Sequence, residues 1–323
     1  MNESRHAECV SIVIPVYNGA ATVGSLVERL RGALAQADFT FEVVLVNDGS
    51  ADRSAEVCRQ LAHTYPWVRF VNLARNFGEH NAVLAGLTHA SGSCAVIMDD
   101  DFQNPPSEVG KLIARLREGH DVVFSRYDSK RHSLLRNLGS RFHNLVASVM
   151  LGKPRDLYLS SFKALSRFAI DEVVKYKGPY PYLDGLILRT TRNYTTELVQ
   201  HDPRREGRSG YTLRKLVRLW LNMFTNFSVL PLRIASFAGL LCAAVGVVLA
   251  IVFACEKLEH PELPLGWASV MVGLLLVGSV QLVALGMIGE YLGRLFMNAN
   301  GCPQFVARET VNCGVATRDR AST

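Results

Sequence analysis

The sequence predicts an α/β domain built on a mostly parallel sheet, followed by an amphipathic interface helix and two transmembrane helices. Three observations carry this reading. Short β-branched runs alternate with amphipathic stretches as far as Ser125, the pattern of a parallel sheet covered on both faces. No charged residue occurs from Ile234 to Ala254 or from Trp267 to Gly289, and each run exceeds the roughly 20 apolar residues that carry a helix across a bilayer. Between domain and spans, Tyr211–Phe227 interleaves Arg214, Lys215 and Arg218 with Leu216, Val217, Leu219, Trp220, Leu221 and Phe224, which suits a helix lying in the membrane interface. The expected divisions are a catalytic domain over 1–210, a juxtamembrane helix over 211–230, a two-helix membrane region over 231–290 and a tail over 291–323.

The elements follow in order. Cys9–Val16 is β-branched and ends at Pro15 and the turn Tyr17-Asn18-Gly19. Ala21–Leu34 places Val23, Leu26, Val27, Leu30 and Leu34 at helical spacing. Phe41–Val46, Val68–Leu73, Cys94–Met98 and Asp121–Ser125 are further strands, separated by helices over Ser54–His63, Glu79–Ala90 and Pro106–Glu118. Beyond Arg126 the pattern weakens: Leu134–Met150 reads as helix, and Tyr158–Leu165 and Leu186–Arg192 as strands.

Charge sets the expected orientation. Seven basic residues and one acidic residue, Glu206, lie between Arg204 and Arg233, whereas the loop between the spans carries Glu256, Lys257, Glu259 and Glu262. Basic flanks stay cytoplasmic, so the catalytic domain and both termini are expected inside the cell's inner (plasma) membrane, as a multi-pass protein. The residues through Glu8 are polar, and Ser11–Val16 is too short for the apolar region of a signal peptide. The net charge of +6 sits largely beside the first span, where anionic headgroups account for it without a nucleic-acid partner. Seven scattered cysteines without a CxxC pair argue against a zinc site.

In such sheets, ligands bind beyond the carboxyl ends of the strands. Three polar clusters lie there: Asn47-Asp48-Gly49-Ser50, Arg75-Asn76-Phe77-Gly78, and Asp99 to Gln103. Asp99 and Asp101 are one residue apart at a strand end, so both carboxylates project to one side. Their repulsion calls for a hard divalent cation, Mg²⁺ or Mn²⁺, with Gln103 as a further oxygen donor; a solvated turn is the alternative. Asp48 can accept hydrogen bonds from a base edge or a ribose hydroxyl, or can form an Asx turn. Arg75 can meet a diphosphate or form a surface salt bridge.

In this order, SIVIPVYNGAATV, VLVNDGSADRS, NLARNFGEHNAVLAG and IMDDDFQNPPSEV resemble the family 2 glycosyltransferases of GT-A fold. The two spans and the closing IGEYLGR, Ile288–Arg294, resemble the polyprenyl-phosphate glycosyltransferases within that family. The resemblance implies transfer of a sugar from a nucleotide donor, expected to be a UDP-sugar, to polyprenyl (undecaprenyl) phosphate. It further implies membrane lipid as surroundings and a homotetramer. Residue by residue, it places Pro15, Tyr17, Asn18, Asp48 and Asp99 against the nucleotide and makes Asp99 and Asp101 the catalytic carboxylates. Asp101 and Gln103 would hold the metal, and Arg75 and Arg204 the phosphates.

Two segments depart from the family. Where relatives read GDFRLMDR or SGFRL, this chain has Ser160-Ser161-Phe162-Lys163-Ala164-Leu165; Ser161 cannot act as a base, which leaves nearby Asp156 as the candidate. Where relatives have Ser/Thr-Lys before an aromatic residue, this chain has Ser209-Gly210-Tyr211, with Arg205 or Arg208 to supply the missing cation. An already ionised acceptor phosphate needs alignment more than deprotonation. A processive polysaccharide synthase would carry more spans and a Gln-x-x-Arg-Trp motif; a transporter subunit would need polar groups inside its spans. Donor specificity is expected from the Arg126–Arg204 region, including Lys163 and the segment Gly178–Asp184.

Overall fold

The structure, a computed structural model, describes residues 8–127, 157–178, 181–202, 230–259 and 266–314. The chain divides into two compact units, 1–210 with 302–323, and 211–301.

The first unit begins with β1 (Cys9–Val16), α1 (Val23–Leu34), β2 (Thr40–Asn47), α2 (Ser54–Thr64), β3 (Val68–Leu73), α3 (Glu79–His89) and β4 (Cys94–Ile97). A 3₁₀ turn over Pro106–Glu108 leads into α4 (Val109–Leu116) and β5 (Val122–Tyr127). After the undescribed 128–156 come β6 (Lys163–Ser166), α5 (Arg167–Val173), α6 (Leu183–Thr190) and β7 (Tyr194–Val199). The strands form one sheet in the order β7-β5-β6-β4-β1-β2-β3, with β8 (Ala307–Val311) at the β3 edge. Pairing is parallel between β4, β1, β2 and β3 and between β5 and β7; β6 and β8 run antiparallel to their neighbours.

Alternation along the strands builds two cores. Val10, Ile12, Ile14 and Val16 of β1, with Val43 and Leu45 of β2, face one layer containing Leu26 and Leu30 of α1 and Leu112 and Ile113 of α4. Val13 and Val46 point the other way, toward α3. Both faces are therefore apolar, which is why these strands read as continuous hydrophobic runs. At the opposite end from the site, buried Glu42 is held by Ser11 Oγ at 2.6 Å, Ser91 N at 2.7 Å and Arg69 Nη2 at 2.8 Å.

The structure corrects the sequence expectations in two places. Leu186–Arg192 is not a strand: Leu183–Thr190 forms helix α6 with its first five residues buried, and Leu183, Leu186 and Ile187 fall at a helical spacing that β-branched Ile187 does not override. Residues 291–323 are not simply a tail. Ala307–Val311 pairs with β3, and Glu309 accepts two hydrogen bonds from Arg59, at 2.8 and 2.7 Å. A five-residue strand with Arg308, Glu309 and Thr310 at its centre carries little apolar signal, and only its partner strand reveals it. The expected helices over Leu134–Met150 and Tyr211–Phe227 lie outside the described residues.

The second unit holds α7 (Leu230–Glu259) and α8 (Trp267–Ala299). Among the described residues, one stretch, Leu276–Ala299, is long and apolar enough to cross a membrane; α7 contributes a shorter apolar stretch, Ala235–Leu249. None of the apolar window in α8 is buried, unlike the core helix of a soluble domain, whose apolar face is covered.

Gly86 in α3 tests the packing. A Cβ there would come within 2.4 Å of Val13 Cγ1 and 3.1 Å of Val46 Cγ2. Gly86→Ala gains about 1 kcal/mol of helix propensity but overpacks against stiff β-branched side chains at a cost of about 1–3 kcal/mol. The expected net result is a lower thermal midpoint; a raised midpoint would contradict this packing.

Candidate functional site

Because β1, β2, β3 and β4 are parallel and in register, with Val16 beside Asn47, Asn47 beside Asn72 and Val13 beside Ile97, their following loops converge at one sheet edge. The turn after β1 is built first. Pro15 is partly buried, and Tyr17 and Asn18 are exposed. Asn18 takes φ 55°, a left-handed conformation that asparagine tolerates better than most residues. Side chains tie this turn to the loop after β2. Asn18 N donates to Ser50 Oγ at 2.9 Å, Gly19 N to Ser54 Oγ at 2.9 Å, and Ala51 N to Asn18 Oδ1 at 2.9 Å.

Asp48 is buried and accepts from Phe77 N at 2.7 Å and Gly78 N at 3.0 Å, one on each carboxylate oxygen. It thereby orders the loop carrying Arg75. Burial raises its pKa, and the two backbone bonds oppose that rise. Gly49, at φ 62°, lies so close to this loop that a Cβ would fall 2.3 Å from Asn76 N and 2.4 Å from Arg75 C. Only glycine satisfies both the dihedral and the contact. Exposed Arg75 lies over the ring of Phe77, 4.7 Å from its centroid.

The turn after β4 separates its three carboxylates. Asp100 faces the β1 turn, where a Cβ on Gly19 would meet its Oδ2 at 1.9 Å. Asp99 accepts from Ser161 Oγ at 2.6 Å. Burial, then the negative charge of Glu79, push the Asp99 pKa up to about 7; Asp101 adds to the rise, and the Ser161 bond and Lys163 oppose it. Asp101 Oδ1 accepts from Gln103 N at 3.1 Å across Phe102, which takes φ 61°. A bulky residue in that region is strained by about 1–3 kcal/mol. Burial of the Phe102 ring and the guanidinium of Arg29, 4.8 Å from its centroid, hold it there. Gln103 Nε2 lies 3.4 Å from His201 Nε2, and the His201 ring packs on Tyr127 with centroids 4.2 Å apart.

The crowding around Asp99 fits a divalent cation: carboxylates at Asp99 and Asp101 and the amide of Gln103 are hard oxygen donors. Among the described residues, no three His, Cys, Asp or Glu side chains converge as a preformed cation site. Asp156, Arg204, Arg205 and Arg208 lie outside the described residues. Sequence reasoning missed Glu79, His80 and His201. The first two directly follow Arg75–Gly78, and that adjacency to a site loop was the available signal.

Residues 11–174 match the family model described as glycosyl transferase family 2. The chain is 31% identical over 308 residues, 95% of each chain, to the uncharacterized glycosyltransferase YkcC of Bacillus subtilis strain 168. It is 32% identical over 315 residues, 96% of each chain, to the undecaprenyl-phosphate 4-deoxy-4-formamido-L-arabinose transferase of Yersinia enterocolitica serotype O:8. Among solved structures it is similar to glucosyl-3-phosphoglycerate synthase from Mycobacterium tuberculosis, with TM-score 0.49 and 18% identity, covering 67% of this chain and 79% of that one.

Two outcomes are expected from this geometry. Gly49→Ala cannot keep both its dihedral and its contact with Arg75 and Asn76, so glycosyl transfer should fall at least tenfold, with a lower thermal midpoint. Asp99, raised to about 7 in the fold, ionises first in the unfolded chain as pH increases, so its contribution to stability is lost between about pH 4 and 7. Asp99→Asn removes that loss. In EDTA, denaturant unfolding should show a gain on the order of 1–3 kcal/mol at pH 8 and a smaller gain at pH 5; equal gains would exclude this origin.

Proposed function

The chain belongs to glycosyl transferase family 2 and is a glycosyltransferase, and from that premise we propose that it transfers a sugar from a nucleoside-diphosphate donor, a UDP-sugar, to polyprenyl (undecaprenyl) phosphate. The observation that carries the reading is the Asp99–Gln103 turn, set at the carboxyl end of β4 beside the loop that Asp48 orders. The near full-length similarity to an undecaprenyl-phosphate sugar transferase supports the acceptor.

In this reading Pro15, Tyr17, Asn18 and Asp48 line the nucleotide's position. Asp48 already spends one lone pair of each oxygen on the backbone, so it works both by shaping the loop and through its remaining acceptor capacity. Asp101 and Gln103, with Asp99 beside them, hold Mg²⁺ or Mn²⁺. Bound there, the ion would supply charge stabilisation to the departing diphosphate. Arg75 binds the phosphates, and Arg204, Arg205 and Arg208 receive the acceptor phosphate.

No protein base is required. An oxygen of the ionised acceptor phosphate attacks the anomeric carbon as the bond to the donor diphosphate breaks, and the nucleoside diphosphate leaves with the electron pair. Alignment of the two phosphates supplies the acceleration. Ser161 supports this reading: at the family's base position it donates to Asp99 instead of accepting a proton, and the reaction leaves Asp156 no proton to remove. One direct displacement inverts the anomeric centre. The apolar stretches of α7 and α8 are read as two spans, with the catalytic domain and both termini cytoplasmic and the assembly a homotetramer.

The test is transfer of radiolabelled sugar from a panel of UDP-sugars to undecaprenyl phosphate, with Mg²⁺, Mn²⁺ or EDTA. One labelled lipid, abolished by EDTA and reduced at least a hundredfold in Asp101→Ala, is expected. A retained α configuration from an α donor would refute the single displacement, and no lipid product from any donor would refute the acceptor.

A further inference from the structure

The strand after α8 holds no residue assigned to the reaction, yet it pairs with β3 beside two of the loops that do. On one face of the sheet, a row across β2, β3 and β8 consists of Leu45, Phe70 and Val311. These three are apolar and pack in the core. The next row, at the carboxyl ends of β2 and β3, consists of Asn47, Asn72 and Glu309. It is polar although Asn47 is buried, and burying an amide without partners is costly.

The partners of this row all point one way. Asn47 Oδ1 accepts from Ser50 N at 3.4 Å, and Asn47 Nδ2 donates to Asn72 Oδ1 at 2.8 Å. Glu309 lies directly opposite Asn72, at the separation where cross-strand side chains meet. An ionised carboxylate only accepts, so Glu309 takes an N–H of the Asn72 amide. The Arg59 guanidinium first, and this bond after it, hold the Glu309 carboxyl below the usual carboxylate range. Turning the Asn72 amide over would set its oxygen against that carboxylate and its N–H groups against those of Asn47. The charge at the end of the row therefore fixes the orientation of both amides.

The other end of the row is the β2 loop. Asp48 and Gly49 lie between Asn47 and Ser50, and Ser50 Oγ accepts from Asn18 N of the β1 turn at 2.9 Å. The strand also grips β3 directly: Ala74, the residue before Arg75, donates its N–H to Val306 O at 2.8 Å. Resting on the donor reading above, we infer that Glu309 is a positioning residue of the nucleotide site, holding the loop of Asp48 through Asn72 and Asn47. The ion pair of Glu309 with Arg59 is a separate matter. Its side chains are 34% and 36% exposed, and a pair so open to solvent contributes little to stability.

Calorimetric binding of UDP with Mg²⁺ to the full-length protein in detergent tests this. Glu309→Ala and Asn72→Ala should each bind UDP at least fivefold more weakly than the wild type. The double variant should be within twofold of the weaker single one, because both changes break the same row. Glu309→Gln keeps an acceptor for Asn72 and should recover affinity to within threefold of the wild type. Arg59→Ala loses the ion pair but leaves the row, and should stay within twofold. A strand that only braced the sheet edge would respond alike to Arg59→Ala and Glu309→Ala. Equal losses in those two variants, or wild-type affinity in Glu309→Ala, overturn the inference and leave the donor reading intact. Failure of the wild type to bind UDP overturns the donor reading and this inference with it.

Discussion

The carboxylate of Asp48 joins two segments that the sheet alone would leave independent. Parallel pairing brings the ends of β2 and β3 side by side, but it does not dictate how their loops fold back. By accepting the N–H groups of Phe77 and Gly78, Asp48 fixes the β3–α3 loop. Gly49 lets the backbone after β2 lie directly on Arg75 and Asn76. Arg75, Phe77 and the start of α3 take their places from that contact. The β1 turn is bound to the same β2 loop through Ser50 and Ser54, so the loops after β1, β2 and β3 form one hydrogen-bonded assembly.

The turn after β4 follows a different principle. The Asp99–Gln103 turn carries unfavourable terms: like charges near Asp99, a half-buried carboxylate and a phenylalanine with positive φ. Such costs persist only where the surroundings impose them. Here Ser161 holds Asp99, Gly19 makes room for Asp100, and the core and Arg29 hold Phe102. A divalent cation would relieve the charge.

The chain also closes on itself. After α8, residues 307–311 add a strand to the β3 edge, with Arg59 gripping Glu309 and Asn312 donating to the carbonyls of Ala62 and Val68 at 2.5 and 2.9 Å. The β3 edge is thereby paired, and the short, charged β8 becomes the outer strand. The catalytic unit is joined covalently to the helical unit at both ends of the latter.

The alternation of apolar strands and amphipathic helices through residue 125 and the convergence of three polar clusters at the strand ends were legible in the sequence, because periods of 2 and 3.6 are local properties; the shared direction expected of Asp99 and Asp101 presumed a strand, but β4 ends at Ile97 and both lie in the following turn. The motif residues were legible because their spacing sets which strand end they occupy. What only the tertiary structure decided has one cause: it depends on contacts between segments far apart in the chain. The pairing of Lys163 with Asp184, the bond from Ser161 to Asp99, the approach of His201 to Gln103 and the return of residues 307–311 to β3 all follow from long-range packing. No window of neighbouring residues contains both partners of any of these contacts.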